Sequence, residues 1–261
     1  MLWGAIIGDI VGSVYEFSNI KTKDFPFFPM HGFITDDSCM TIAVAKALKQ
    51  WKQDGGDLQK YTIQSMREIG FKYPHMGYGF RFARWLFNKD DEPYDSWGNG
   101  AAMRVSAVGW VGNSISEVKR LSYMVTSVSH DHIEGIKGAE ATAVAVYLAR
   151  MGKDKSEIAA YITKNYYDWC VGVKELQENY SWDGSCQGTV PQALQCFFES
   201  ESFEDAIRNA ISIGGDSDTI GAITGAVAEA YYGIPDDMIQ TARKYVPEDL
   251  LKIVDEFQQK G

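Results

Sequence analysis

Glycine recurs at every fourth position in two apolar segments, as Gly4, Gly8 and Gly12 near the start of the chain and as Gly221 and Gly225 near its end. Residues four apart share one face of an α-helix, so each segment predicts a helix with a face that carries no side chains. Glycine lowers the stability of a helix. We therefore expect these faces to lie where a second backbone approaches closely.

Most of the remaining sequence also follows the helical period. Met40, Val44 and Leu48 recur every fourth residue after the stretch TDDS, and no segment alternates polar and apolar residues as a strand would. The same spacing predicts further helices over residues 101–112, 133–152, 156–166, 190–200 and 247–260. The pattern predicts an all-α fold, a compact orthogonal bundle of many helices. Because 261 residues with 45% hydrophobic content can bury one large core, we expect a single domain over residues 1–261.

The charge balance narrows the functional class. A formal net charge of −10 argues against a nonspecific nucleic-acid binder, since phosphate contacts need a basic surface. The four cysteines form no C-x-x-C pair, so we expect mostly buried thiols. The apolar first segment carries Asp9 and Glu16, lacks a basic leader and is shorter than the roughly 20 residues that span a bilayer. We expect a soluble, cytoplasmic monomer with no membrane partner.

Two similar acidic clusters stand directly before predicted helices. The first contains Thr35, Asp36 and Asp37, and the second contains Asp216, Asp218 and Thr219. Either cluster alone is explained by helix capping, because carboxylates are favoured at helix N-termini. Buried aspartate pairs repel each other, however, unless protons or a cation neutralise them. The occurrence of two such clusters therefore favours a metal site at the helix N-termini.

The ligand chemistry selects the class of cation. Oxygen-only ligands favour Mg²⁺, Mn²⁺ or Ca²⁺, whereas a zinc site would recruit histidine or cysteine. The stretch DSDTIG resembles the start of an EF-hand loop, but Ile220 and Val227 occupy its fifth and twelfth positions, which excludes that motif. Mg²⁺ or Mn²⁺ fits better. Two further acidic runs, at 89–93 and 235–237, lie beside proline and are expected to be solvated turns.

These motifs resemble those of the ADP-ribosylglycohydrolases, a family that includes the dinitrogenase-reductase-activating glycohydrolases. The resemblance covers most of the chain in order, through GDIVGSVYEF at 8–17, TDDS at 35–38, WGNGAAMR at 97–104, SH at 129–130 and GGDSDTIG at 214–221. It implies an all-α fold and a centre of two Mg²⁺ or Mn²⁺ ions that removes ADP-ribose from a modified protein or a small-molecule adduct. The chain departs from the commonest motif at Ser38, where the family more often has threonine, but it keeps a hydroxyl group.

The resemblance also implies roles for individual residues. The metal ligands would be Thr35, Asp36, Asp37, Asp216, Asp218 and Thr219. Catalysis would involve Glu16, which ligates a cation or activates water, and Asp36. Substrate binding would involve Gly98, Asn99, Gly100, Ala101, Met103 and His130. Asp9 precedes Glu16 by seven residues on the same helical stripe and would support the site as a structural carboxylate.

Three alternatives remain open from the sequence. The stretch GNGAAMR is either a cradle for the pyrophosphate of ADP-ribose or an ordinary glycine turn. The stretch HDH at 130–132 suggests a metal phosphohydrolase, although His31 and His75 are the only other histidines of the chain. A noncatalytic relative that binds ADP-ribose or serves a structural role has the same motifs. We assign the aromatic residues of YPHMGYGFRFARW, at 73–85, to helix packing and not to the site.

Overall fold

A computed structural model describes residues 1–88, 92–168 and 171–258 of the chain. Within these ranges the fold consists of fourteen α-helices and two short 3₁₀ turns, with no β-strand, so the all-α class is confirmed. The helices are α1 (Trp3–Gly12), α2 (Asp36–Asp54), α3 (Leu58–Lys72), α4 (Phe80–Phe87), α5 (Ser106–Val111), α6 (Ile115–Thr126), α7 (Ile133–Arg150), α8 (Lys155–Asn165), α9 (Val173–Asn179), α10 (Cys186–Phe198), α11 (Phe203–Ser212), α12 (Ser217–Tyr232), α13 (Asp236–Ala242) and α14 (Glu248–Gln258). The 3₁₀ turns span Asn99–Ala101 and Arg243–Tyr245.

Helix α1 lies at the centre of the fold. All ten of its residues are buried, and it packs against α2, α11, α12 and α13. A helix that is apolar on every face is stable in water only when neighbours cover all of it. Helix α12 is likewise buried from Ser217 to Glu229. The two helices that carry the regularly spaced glycines therefore form the middle of the core.

The glycine faces of α1 and α12 pack directly against each other, as the sequence predicts. A methyl group added at Gly8 would overlap the carbonyl oxygen of Gly221, and one added at Gly4 would overlap that of Gly225. Methyl groups added at Gly221 and Gly225 would in turn meet the carbonyl oxygens of Gly8 and Gly4. The two backbones are thus in contact, at a separation that only glycine permits.

One predicted helix is shorter than its pattern indicates. Over residues 101–112 only Ser106–Val111 is α-helical, and the preceding residues continue from the 3₁₀ turn Asn99–Ala101. The cause lies outside the local sequence. The backbone N–H of Asn99 donates to the carbonyl of Gly184 at 2.8 Å, and its side-chain amide donates to Asp216 Oδ2 at 2.6 Å. These two contacts hold the backbone in a turn where periodicity alone predicts a helix.

The predicted helical stripe through Asp9 and Glu16 is also wrong. Helix α1 ends at Gly12, and a turn closed by the hydrogen bond from Tyr15 N–H to the Gly12 carbonyl (2.8 Å) follows it. Glu16 therefore lies after the helix, in irregular backbone. Asp9 and Glu16 reach the same region from different structural elements.

The other predicted helices are confirmed to within a few residues, as α7, α8, α10 and α14. The acidic run at 235–237 is exposed as expected, but Asp236 and Asp237 begin α13 and do not form a turn. Residues 89–91 of the other acidic run, Cys170 and residues 259–260 lie outside the described residues. Cys39, Cys186 and Cys196 are buried thiols and form no disulfide within the described part of the chain. No helix in the described part of the chain is both long and apolar enough to cross a membrane.

The contact between α1 and α12 predicts a large effect from one added methyl group. Gly8→Ala should lower the free energy of unfolding by about 2 to 3 kcal/mol, because a core that is already in backbone contact must open to accommodate the new side chain. Urea denaturation followed by circular dichroism measures the change.

Gly79→Ala is the matched control, since a methyl group at Gly79 meets no atom within 4 Å and the backbone there has a negative φ of −56°. Its stability should stay close to that of the wild type. Equal stabilities of the Gly8→Ala and Gly79→Ala variants would show that the two backbones are not in close contact.

Candidate active site

One cleft of about 260 Å³ brings most of the predicted site residues together. Of the thirteen residues predicted for the site, eleven line it: Glu16, Asp36, Asp37, Gly98, Asn99, Gly100, Met103, His130, Asp216, Asp218 and Thr219. The exceptions are Thr35, which is buried beneath the start of α2, and Ala101, whose side chain is wholly within the core. The acidic residues and the glycine turn therefore belong to one continuous surface.

A buried carboxylate from α1 fixes the start of α2. Asp9 accepts hydrogen bonds from the backbone N–H groups of Thr35 (2.9 Å) and Ser38 (3.0 Å), and from the hydroxyl groups of the same two residues. Thr35 in turn caps α2 by accepting a hydrogen bond from the backbone N–H of Asp37 at 3.2 Å. These contacts satisfy N–H groups that the first turn of a helix leaves unpaired. Asp9 thus acts as a structural carboxylate that holds Asp36 and Asp37 in the cleft.

The start of α12 is fixed by a tight glycine loop. Gly214 and Gly215 have φ angles of +68° and +80°, a conformation that favours glycine. The side-chain amide of Asn19 both accepts from the N–H of Gly215 and donates to its carbonyl, each at 2.8 Å. Because the loop is held in this way, Asp216 and Asp218 project from the first turn of α12 into the cleft.

The same asparagine positions Glu16. Asn19 donates a hydrogen bond to the Glu16 carbonyl at 3.0 Å while it holds Gly215. Glu16 is half-buried, and its carboxylate lies beside those of Asp216 and Asp218. Each of these three groups offers one oxygen, and the three oxygens lie within 4.8 Å of one another. The arrangement is therefore able to bind a metal ion.

The carboxylates destabilise one another's charged forms. The pKa values of five are raised: those of Asp9 and Glu16 to about 7, and those of Asp36, Asp37 and Asp216 well above their ordinary value. Burial is the largest cause in each case, and the negative charge of Asp218 is the next. Asp37 Oδ1 is buried and has no hydrogen-bond partner among the described residues. A cation would relieve both the repulsion and this unpaired oxygen.

The glycine turn lies next to the acidic cluster. Asn99 links the two through its hydrogen bond to Asp216, and the Thr219 hydroxyl contacts both Asp37 Oδ2 (3.2 Å) and the Met103 sulfur (3.9 Å). Gly98 and Gly100 expose backbone to the cleft, where neither presents a side chain. This end of the cleft can therefore approach a ligand closely with main-chain atoms.

His130 lies against the glycine turn and is buried. Its ring is flanked by the rings of Phe82 and Tyr94, with centroid distances of 5.9 and 5.4 Å. Its pKa is held well below the ordinary value, first by burial and then by the charges of Arg104 and Arg81. His132 points elsewhere: its Nδ1 caps α7 by accepting from the backbone N–H of Glu134 at 3.1 Å.

The cleft also contains residues that the sequence analysis did not assign. Phe80, Arg81 and Phe82 line the cleft although their stretch was assigned to helix packing and not to the site. Phe82 also packs in the core, since it is buried and stacks on Trp85 at 5.5 Å. Arg104 ends the stretch GNGAAMR, and a charged residue in this apolar surrounding indicates that it needs a buried partner. Other lining residues, Tyr94, Ser96, Trp182 and Gly184 among them, carry no local sequence signal for this position.

Comparison with known proteins identifies the family to which the chain is similar. The sequence model of the ADP-ribosylglycohydrolase family matches residues 1–261. ADP-ribosylhydrolase ARH3 of Mus musculus is 26% identical over 330 residues, covering 96% of this chain and 88% of the mouse protein. ADP-ribosylarginine hydrolase Tri1 of Pseudomonas putida (strain GB-1) is 25% identical over 259 residues, covering 89% of this chain and 70% of that protein.

A solved structure shares the fold. The chain of the ADP-ribosylglycohydrolase-related protein complex aligns with a TM-score of 0.71 and 22% identity, over 98% of this chain and 95% of its own. Together with the family match over the whole chain, this confirms the resemblance indicated by the sequence motifs. The chain belongs to the ADP-ribosylglycohydrolase family.

The repulsion among the carboxylates predicts that one of them destabilises the metal-free protein. In buffer freed of divalent cations, Asp218→Asn should raise the melting temperature, because it removes the charge that acts on five neighbouring carboxyls while keeping the oxygen that accepts from Thr219 N–H (2.9 Å). Differential scanning calorimetry measures the change.

The increase in melting temperature caused by Asp218→Asn should also depend on pH. A carboxyl with a raised pKa stabilises the fold below its unfolded pKa of about 4, and that stability is lost as the pH rises through about 7, where Asp9 and Glu16 ionise. The increase in melting temperature caused by Asp218→Asn should therefore grow as the pH rises from about 4 to about 7. Asp236→Asn, at an exposed position in α13, is the control and should give no gain. A lower melting temperature for Asp218→Asn in metal-free buffer would contradict the electrostatic account.

Proposed function

We propose that this chain, acting as one domain over residues 1–261, hydrolyses the glycosidic bond that joins ADP-ribose to a modified protein side chain or another acceptor. The observation that carries the proposal is the convergence of two aspartate clusters, Glu16 and a glycine turn in one cleft. Family membership and the names of the two relatives support the same reaction class.

The donor set fits two Mg²⁺ or Mn²⁺ ions. The ligands would be Asp36, Asp37, Asp216, Asp218 and Thr219, which line the cleft and offer only oxygen atoms, together with Thr35, whose hydroxyl would have to turn from Asp9 toward the cleft. The unpaired Asp37 Oδ1 and the raised pKa values of its neighbours are the structural observations that favour cations at this place. When bound, such ions would orient the ribose hydroxyls and act as Lewis acids on the oxygen atoms that they hold.

Glu16 is suited to move a proton in this reaction. In the metal-free protein, burial and the charges of Asp218 and Asp9 raise the pKa of Glu16 to about 7, and cations bound beside it would lower that pKa and favour the carboxylate, which is the form that accepts a proton. Its half-buried carboxylate lines the cleft beside the proposed ligands. Glu16 would accept a proton from the attacking water or return one to the leaving group, and Asp36 would assist from the start of α2.

The glycine turn and His130 would bind the anionic part of the substrate. Gly98 and Gly100 present no side chain here, so a phosphate group can approach their main chain closely, while the N–H of Gly98 itself donates to the Ser96 hydroxyl at 3.2 Å. Arg81 and Arg104 also line the cleft and contribute positive charge. The cleft would therefore hold the pyrophosphate against the glycine turn and the ribose against the carboxylates.

The phosphohydrolase alternative receives no support from the positions of the histidines. His130 is in the cleft, whereas His132 caps α7, and His31 and His75 are exposed. The four histidines thus do not meet in one site within the described part of the chain. Noncatalytic binding of ADP-ribose remains as an outcome that the following measurement distinguishes.

The proposal predicts metal-dependent release of ADP-ribose. With a panel of ADP-ribosylated substrates, Mg²⁺ or Mn²⁺ should support release detected by mass spectrometry, and a chelator should abolish it. The same ions should raise the melting temperature, because a ligand that binds only the folded state stabilises it.

Asp216→Ala should remove both responses, while Asp236→Ala, at the exposed start of α13, should keep them. Binding of ADP-ribose without release on any substrate would identify a binding protein. Release of inorganic phosphate instead of ADP-ribose would favour a phosphohydrolase. A melting curve indifferent to both ions and chelator would count against the metal site.

Glu16→Gln tests proton transfer separately from metal binding. The amide keeps the size of the side chain but removes its basicity, so turnover should fall on the order of 100-fold or more, with little change in ADP-ribose affinity. The metal-induced melting shift should persist, since the proposed aspartate ligands remain. Loss of that shift together with activity would make Glu16 a metal ligand first, and near-normal turnover would remove it from the mechanism.

A further inference from the structure

A fully buried arginine stands behind His130. Arg104 donates a hydrogen bond from Nη2 to the Ser129 hydroxyl at 2.8 Å, and the same nitrogen lies 3.4 Å from His130 Nδ1. Its guanidinium lies over the Phe82 ring, 5.3 Å from the centroid. Nε and Nη1 have no hydrogen-bond partner among the described residues. A buried arginine with unpaired N–H groups lowers the stability of the fold. A role in the site would explain why Arg104 occupies this position.

The hydrogen-bond donors around His130 determine where its proton lies. Arginine can only donate, and Arg104 uses Nη2 to donate to Ser129 Oγ, which leaves the Ser129 hydroxyl proton free. Ser129 Oγ is 2.9 Å from His130 Nδ1 and can donate that proton to it. A proton on Nδ1 would face Arg104 Nη2, which can only donate and lies 3.4 Å away, so Nδ1 accepts and the Ser129 hydroxyl donates to it. In the neutral imidazole the proton is then on Nε2.

Nε2 faces the glycine turn. A Cβ atom added at Gly100 would lie 3.4 Å from it, and one added at Gly98 would lie 3.7 Å away. Within the described ranges of the chain, no residue forms a hydrogen bond with Nε2. The N–H group is thus available at the point where main-chain atoms reach a ligand.

We propose that Arg104 and Ser129 are positioning residues that hold His130 as the neutral Nε2–H tautomer, so that the cleft presents a fixed hydrogen-bond donor beside Gly98 and Gly100. The identity of its ligand, a phosphate oxygen of ADP-ribose, rests on the proposed function. The opposite tautomer would present a lone pair to the phosphate and repel it. The network therefore selects a ligand atom that accepts a hydrogen bond.

The charges around the ring agree with a neutral imidazole. The charged groups that face it are Arg104 and Arg81, both positive, while Tyr94 and Phe82 contribute aromatic rings. Burial and these two charges hold the pKa of His130 well below its ordinary value. The imidazole is thus a neutral donor whose direction is set by the residues behind it.

Nitrogen NMR of the metal-free, full-length protein tests the tautomer directly. In ¹⁵N-histidine-labelled protein, the resonances missing from His130→Gln identify His130 among the four histidines. Between about pH 5 and 8, its Nδ1 should resonate as an unprotonated nitrogen and its Nε2 as a protonated one. A protonated Nδ1 in the wild type would overturn the proposal.

Variants of Ser129 and Arg104 test whether these residues set the tautomer of His130 and the affinity for ADP-ribose. Ser129→Ala should yield a mixture of tautomers and weaken ADP-ribose binding about tenfold in calorimetry, while the metal-induced melting shift stays intact. Arg104→Lys, which keeps a charged donor, should retain more of the Nε2–H tautomer than Arg104→Met. If Arg104→Met does not fold, the tautomer signals and the ADP-ribose affinity of Ser129→Ala, compared with those of the wild type, test the proposal.

The two proposals fail in distinguishable ways. Unchanged NMR signals and unchanged affinity in Ser129→Ala would overturn the positioning role of the network. A wild-type protein that shows the Nε2–H tautomer but binds no ADP-ribose would support the positioning of His130 and overturn the proposed substrate.

Discussion

The geometry of the cleft depends on the way α1 holds two other helices by their first turns. Asp9 binds the start of α2 through two backbone N–H groups and two hydroxyl groups. Three residues later, Gly12 lies so close to the start of α12 that a methyl group there would overlap the Ser217 carbonyl. Because α1 is buried on all sides, both helix starts are fixed relative to the same rigid element. The acidic clusters are therefore brought together by the core itself.

The repulsion among these buried carboxylates destabilises the folded state of the metal-free protein. Glu16 and the four aspartates of the two clusters line one end of the cleft, and burial raises the pKa of four of these five groups. The arginines of the cleft, Arg81 and Arg104, act on His130 at the glycine turn. The cleft thus contains both acidic and basic side chains. Cations bound by the carboxylates would offset this electrostatic cost.

Asn19 and Asn99 connect parts of the site that are far apart in the sequence. Asn19 joins the Glu16 carbonyl to Gly215, and Asn99 joins the glycine turn to Asp216. Both are short polar side chains in irregular backbone, where the main chain leaves hydrogen-bonding groups unpaired. These hydrogen bonds join the segments outside the α-helices to the start of α12, which carries Asp216 and Asp218.

The sequence by itself determined the helical class, the two faces of glycine and the two acidic clusters, because periodicity and spacing are local properties that survive without the fold. The tertiary structure alone decided that Glu16 leaves α1, that residues 101–105 form no α-helix, and that Arg104 lies behind His130. These features depend on hydrogen bonds and packing between distant segments, such as Asn99 with Gly184. Local propensity contains no information about such partners, since their positions follow from how the helices pack around α1.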